Sequence, residues 1–189
     1  MKKKSRKKTG AAAAVMILML LAALFLGMLS SVSKMKGIAE DSFYSDENGY
    51  SVHMGVEIRQ KSAIRLLSVA EDYQNSYPEL TEPSAELKSA IEALDNAWFS
   101  DDGSEAEKNL ALSEPCRAVR DLLLSVDIKD ADEKIVQNNF AEITAAQDRI
   151  NRSSYNDDAA EFNKSLYKYP AKLLKDLGIV KALPVYYGK

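Results

Sequence analysis

The chain has 189 residues, 46% of them hydrophobic and 28% charged, with one cysteine and one histidine. That length predicts one domain with an appendage. A single cysteine excludes an internal disulfide framework and a CxxC-type metal site. After residue 10, nineteen basic side chains face twenty-eight acidic ones, a formal charge of −9 that argues against nucleic acid as a partner.

The appendage comes first. Residues 1–10 hold Lys2, Lys3, Lys4, Arg6, Lys7 and Lys8, and no charge follows from Thr9 through Ser33. The apolar run from Ala11 to Leu29 covers about 28 Å as a helix, enough for the hydrocarbon core of a bilayer. Residues 11–33 are therefore expected to form a transmembrane anchor, making the lipid bilayer a partner. The alternative is a cleaved signal peptide, with small residues at Ser31-Val32-Ser33 or Gly37-Ile38-Ala39 for processing, but the run exceeds the usual length of such a signal. The surplus of Lys and Arg before the span places the basic N-terminus in the cytoplasm and the bulk of the chain outside.

Residues 34–53 read as a juxtamembrane tether, rich in acidic and turn-forming residues, with Asn48-Gly49 as the strongest turn signal. His53, with no ligand-spaced partner, is expected to be solvated. Residues 54–189 then carry helical periodicity throughout. A first helix is predicted from about Val56 to Tyr77, with Ile64, Leu67 and Tyr73 among its apolar positions, ending before Pro78. A second starts at Thr81 or Ser84 and carries Leu87, Ile91, Leu94 and Trp98 as one buried stripe.

Ser100-Asp-Asp-Gly-Ser-Glu105 separates it from a third helix over about 105–126, which Pro115 should kink or restart near Ser113. Cys116, on this helix, is expected to be a small buried hydrophobe. Asp130 and Glu133 have capping-box spacing, and the carboxylates Asp127, Asp130, Asp132 and Glu133 suit a helix start better than a calcium loop, which would need alternating ligands and a central glycine.

The fourth helix is predicted as one long element from Asp132 to about Lys168, roughly 55 Å. Along it an aromatic and its neighbour recur every seven residues, as Tyr155-Asn156, Phe162-Asn163 and Tyr169-Pro170. With Ala159, Leu166 and Leu173 these aromatics make an apolar seam, at least until Pro170 interrupts the helix, and the two asparagines flank it, where an amide can bond a neighbouring helix or its end. Pro170 stops the helix, Gly178 suits a C-terminal cap, and the tail folds back. The expected fold is all-α: an N-terminal transmembrane helix followed by an elongated antiparallel bundle of about four helices.

Chemistry is scarce in this pattern. No Ser/His/Asp or Cys/His set, glycine-rich phosphate loop or metalloprotease motif is present, and no catalytic, metal-binding or cofactor-binding residue or small-molecule substrate is proposed. Two sequons, Asn151-Arg-Ser153 and Asn163-Lys-Ser165, fall inside predicted helix and are taken as chance.

The last forty residues resemble the C-terminal signature of the LemA family. The corresponding positions are Arg149-Ile150, Tyr155-Asn156, Phe162-Asn163, Tyr169-Pro170, Gly178-Ile179, where the family usually has an aromatic in place of Ile179, and Pro184 with Tyr186. The first long helix departs from the family: Arg59, Leu66, Leu67 and Tyr73 are present, but the proline-containing core usual there is not, which marks a divergent member. The resemblance implies a bacterial membrane-anchored helical bundle with no established enzymatic activity, linked with envelope or membrane-protein quality control. On this reading the chain is an interaction or scaffold protein with an envelope protein as partner. The alternative is a ligand-binding domain released after signal cleavage.

Overall fold

The structure, a computed structural model, describes residues 3–45, 49–98 and 104–187, with side chains from residue 12 onward. The basic side chains of the N-terminal cluster, Asn48 of the tether turn and residues 100–103 of the linker lie outside the described residues. Among the described residues the fold is all-α, with no strand.

Helix α1 runs unbroken from Lys3 to Tyr44, 42 residues. It contains one stretch long and apolar enough to cross a membrane. It also continues through more than half of the segment assigned above to a tether. Tertiary packing explains the difference: Ala39 and Phe43 are buried against the rest of the chain, the Ser42 hydroxyl donates to Asp158 Oδ2 at 2.6 Å, and Lys36 pairs with Glu40 one turn away at 2.6 Å.

Helix α2 (Val52–Tyr73) starts one turn earlier than its periodicity predicts, because Ser51 caps it by accepting the Met54 amide at 3.2 Å. Ile64, read as an apolar-face position, points outward and is half exposed, while Ala63, Leu66 and Ala70 are sealed. A 3₁₀ turn (Pro78–Leu80) leads into α3 (Thr81–Trp98), whose Leu87, Ile91 and Leu94 form the predicted buried stripe, with Trp98 half-buried at its end.

The third predicted helix is two: α4 (Glu105–Ala111) and α5 (Ser113–Leu123). The restart at Ser113 places Pro115 in the first turn, where its missing N–H costs no internal bond. Cys116 is fully buried.

The long fourth helix is also two elements, α6 (Asp130–Asn151) and α7 (Ser154–Ser165). Lys129 precedes α6 as its cap without a side-chain bond, so the Asp130–Glu133 box does not form. Asp132 instead accepts the Tyr73 hydroxyl at 2.7 Å, and the Tyr73 hydroxyl oxygen in turn accepts the Lys129 amide at 3.0 Å. At the other end, Ser153 turns to extended backbone with ψ 145° and ends the ladder. The short polar side chains of Asn151, Ser153 and Ser154 suit such a break, since residues of this kind offer the backbone bonds outside the helix.

Contacts between the ends set the topology. Gly55 lies against Ile150 and Tyr73 bonds Asp132, so α2 and α6 run antiparallel. Ser42 meets Asp158, and Phe25 to Val32 pack near Phe162 and Leu166, so α1 and α7 are antiparallel as well. The chain thus climbs along α1 and α2, turns at a tip where the Tyr77 hydroxyl donates to the Asp127 carbonyl at 2.9 Å, and returns along α6 and α7. Helices α3 and α5 complete a four-helix body around α2 and α6. Beyond α7, the short α8 (Ala171–Asp176) ends in a Schellman cap: Gly178, at φ +70°, and Ile179 donate to the Lys175 and Leu174 carbonyls, both at 2.9 Å.

The seam read from the heptad repeat holds through Tyr155, Ala159, Phe162 and Leu166, all buried. It fails beyond α7. Tyr169 is 85% exposed and Leu173 44%, because the helix stops at Ser165 and the register no longer applies.

Candidate functional site

Of the residues that carry the heptad repeat, Tyr155, Asn156 and Asn163 converge where α1, α2, α3, α7 and the C-terminal tail meet. The tail comes back along α7 and is held there by side chains rather than by a sheet or helix. Asn163 grips Leu183 twice: its Nδ2 donates to the Leu183 carbonyl and its Oδ1 accepts the Leu183 amide, both at 2.8 Å. Asn156, one heptad earlier and 1% exposed, accepts the Tyr186 amide at 2.8 Å and donates to the Ile150 carbonyl at 2.7 Å. That carbonyl belongs to the last turn of α6, so one amide satisfies a helix end and a tail at once. The Tyr155 hydroxyl donates to the Pro184 carbonyl at 2.8 Å.

Around these bonds the rings pack. Phe43 lies 5.2 Å from Tyr155 and 5.7 Å from Tyr186, and Tyr155 and Tyr186 are 5.9 Å apart. Trp98 stands edge-on to His53 at 5.1 Å, with Tyr44 on another side at 5.2 Å. His53, expected in solvent, is therefore packed among aromatics, and its buried Nδ1 meets no hydrogen-bond partner. The sequence reading missed this because its neighbours come from α1 and α3.

Polar groups inside this cluster are perturbed by burial. Glu105 is pushed above the usual carboxylate range by burial, against a smaller opposing effect of its hydrogen bond with Tyr186. Both tyrosine hydroxyls are pushed up, chiefly by burial and then by the nearby Glu105 charge. Glu105 was not singled out in the sequence, where it reads as one acidic residue among many at a helix start.

The remaining signature positions serve the same junction or lie outside it. Arg149 stacks its guanidinium 4.2 Å from the Tyr50 ring and bonds the hydroxyl of that tyrosine. Ile150 and Phe162 are buried. Pro170 precedes α8 after a cis Tyr169-Pro170 bond, and Gly178 closes that helix. Tyr169 takes no part in the clasp.

Arg59 is the other unusual buried group. It is 0% exposed, donates from Nη2 to the Ser113 hydroxyl at 2.7 Å, and leaves Nε and Nη1 without hydrogen-bond partners. Burial pushes its guanidinium down to about 10, partly offset by Cys116.

What this arrangement can do is bind backbone and exclude water. Its groups donate to or accept from main-chain atoms, and no group of three or more His, Cys, Asp or Glu side chains able to hold a metal is found among the described residues. Comparison with known protein families, with curated proteins and with solved structures returns no match to the chain.

Proposed function

We propose that this is a membrane-anchored, non-enzymatic helical scaffold of the bacterial cell envelope, LemA-like, with its helical domain outside the cytoplasmic membrane and an envelope protein as partner. The observation that carries this reading is the double character of α1. Its first part is apolar and open, with Leu18 65% and Leu24 70% exposed, as suits a surrounding of lipid; its second part buries Val32, Ala39 and Phe43 in the fold. An anchor of this kind holds the domain as a stiff stalk at a set height.

The same burial weighs against release as a secreted ligand-binding domain. Cleavage after Ser33 or Ala39 would strip from the fold Phe25, Met28, Leu29 and Val32, which pack with Phe162 at the end of α7, and leave only the last turns of α1 against that helix. The resemblance at Arg149-Ile150, Tyr155-Asn156 and Phe162-Asn163 supports the family reading, and the clasp gives those positions a structural purpose that needs no catalysis. The acidic faces of the body remain for a partner, a surface recognised along helix faces.

Fractionation tests the anchor. The full chain stays in the membrane pellet after a salt and carbonate wash with its N-terminal residues intact; a soluble chain beginning near residue 34 or 40 would sink the proposal. Protease added outside intact protoplasts degrades the helical domain, whereas full protection would place it in the cytoplasm. Cross-linking from exposed positions of α3 and α5 then captures a specific envelope protein.

A further inference from the structure

The turn after α7, together with α8 and its cap, breaks the surface pattern of the rest of the molecule. Within thirteen residues Tyr167, Tyr169, Leu173, Leu177 and Ile179 are all exposed, between 44% and 85%. Elsewhere beyond the apolar run of α1, exposed large apolar side chains on the described surface are scattered, as Ile64 on α2, Leu124 after α5 and Ile135 on α6 are. Scattered residues need no explanation, but a contiguous cluster marks a contact surface.

Charge changes at the same place. Residues 164–181 hold five lysines and a single carboxylate, Asp176, whereas residues 34–163 hold thirteen basic against twenty-seven acidic side chains. A basic, apolar segment on an acidic protein is complementary to an anionic layer with hydrocarbon beneath it. Lys175 Nζ already sits 3.4 Å from the Tyr167 ring centre, a pairing of the kind found at membrane interfaces.

Position identifies the layer. The inner side of this segment, Leu174 and Val180 with Phe162 and Leu166, packs on Phe25, Met28, Leu29 and Val32 of α1. Those residues occupy the last turns of the apolar run and its exit. The segment is therefore fixed beside α1 at the level where that helix leaves hydrocarbon for headgroups. Two open grooves flank α1 there, of about 540 Å³ with Lys36 and Lys181 on the rim and about 520 Å³ with Lys164 and Lys168.

We propose that residues 167–179 form a membrane-surface foot, lying in the headgroup layer of the bilayer that α1 crosses, with the tyrosine and leucine side chains at the acyl boundary and the lysines on anionic lipid phosphates. This rests on the reading of α1 as a retained anchor and does not depend on which leaflet the domain faces. The foot gives the stalk a second attachment and fixes its tilt, because two contacts with one surface define an orientation that a single helix does not.

Depth-resolved quenching tests it. The full chain carrying Trp98→Phe and one new tryptophan is reconstituted in vesicles of phosphatidylcholine and phosphatidylglycerol with bromines on the acyl chains. Tyr169→Trp is quenched at least roughly twofold more than Leu124→Trp at the far tip, and most strongly by bromines near the headgroups, while Leu18→Trp is quenched by deep bromines. Quenching of Leu18→Trp with Tyr169→Trp no different from Leu124→Trp overturns the foot and leaves the anchor standing. Absence of quenching at Leu18→Trp overturns both. Hydrogen exchange on the unmodified chain is a check free of substitutions: amides at 167–179 exchange more slowly in vesicles with phosphatidylglycerol than in phosphatidylcholine alone, and equal rates overturn the role of the lysines.

Discussion

In the four-helix body, α2 and α6 approach so closely that a Cβ on Gly55 would stand 2.5 Å from Ile150 Cγ1, and Leu66, Leu87, Leu94, Val119 and Val136 close the interior completely. At the other end, α1 and α7 share a smaller core of Val32, Phe162, Leu166, Leu174 and Val180, and the tail is tied on by Asn156, Asn163 and Tyr155. The first region relies on apolar burial, which is additive and tolerant of rearrangement. The second relies on directional bonds to backbone, which fix one register and fail when a single partner is lost. Under the anchor reading proposed above, the second kind is what holds the domain at a set height.

The largest effects should come from breaking each region by its own means. Leu66→Ala removes a fully buried side chain from the body and should cost about 3–4 kcal/mol, lowering the urea midpoint of the whole domain in detergent. Asn156→Ala leaves the buried Tyr186 amide without its acceptor and takes one of two donors from the Ile150 carbonyl, which keeps the Ser153 amide, at about 3 kcal/mol. The two differ in where they act: Asn156→Ala should expose residues 179–187 to protease and to hydrogen exchange before the body opens, while Leu66→Ala loosens the body. Identical exchange maps for the two variants would show that the regions are not distinct.

Legibility in the sequence followed the same division. The stripe Leu87, Ile91, Leu94 and Trp98 could be read because a helix packing on a body repeats its apolar residues by geometry alone, and the restart before Pro115 could be read because proline lacks a donor. The break at Ser153 could not. Short polar residues such as Ser153 and Ser154 are equally at home on an exposed helical turn, and the partner that stabilises the break, Tyr186, lies thirty positions beyond Asn156. Extending the heptad across that turn and past Ser165 is what sent Tyr169 and Leu173 to the core on paper and to the surface in the fold. Asn156 and Asn163 were placed correctly beside the seam, but their partner, the tail, has no periodicity to announce it.

A smaller effect probes the close approach in the body. Gly55→Ala forces Ile150 aside, since the nearest atom is the branch carbon of the side chain and not its far end, and should cost about 2 kcal/mol. Gly55→Ala combined with Ile150→Ala should lose less than the sum of the two single changes, because alanine lacks the Cγ1 that the new Cβ would meet. Strict additivity in a double-mutant cycle would mean that the side chain at 150 does not touch residue 55.

The smallest effect is a pH dependence confined to the body. Burial pushes the Cys116 thiol from its ordinary 9.0 up to about 12, so the folded chain keeps a proton that the unfolded chain gives up from pH 9 upward. Stability from this group is complete below pH 9 and is lost progressively as pH rises toward 12, about 1.4 kcal/mol by pH 10 for one such group. Arg59 acts with the opposite sign. Its buried guanidinium, pushed from 12.5 down to about 10, sheds its proton in the folded chain first, so stability rises between those values. From pH 9 to 10 Arg59 begins to offset the thiol's loss, and comparison with Cys116→Ala, which retains Arg59, isolates the thiol. Urea midpoints of the wild type should fall across that interval more steeply than those of Cys116→Ala, whose side chain cannot ionise. Parallel slopes would mean that the thiol is reached by water in solution, and that the seal of the body beside Arg59 is looser than the clasp that holds the tail.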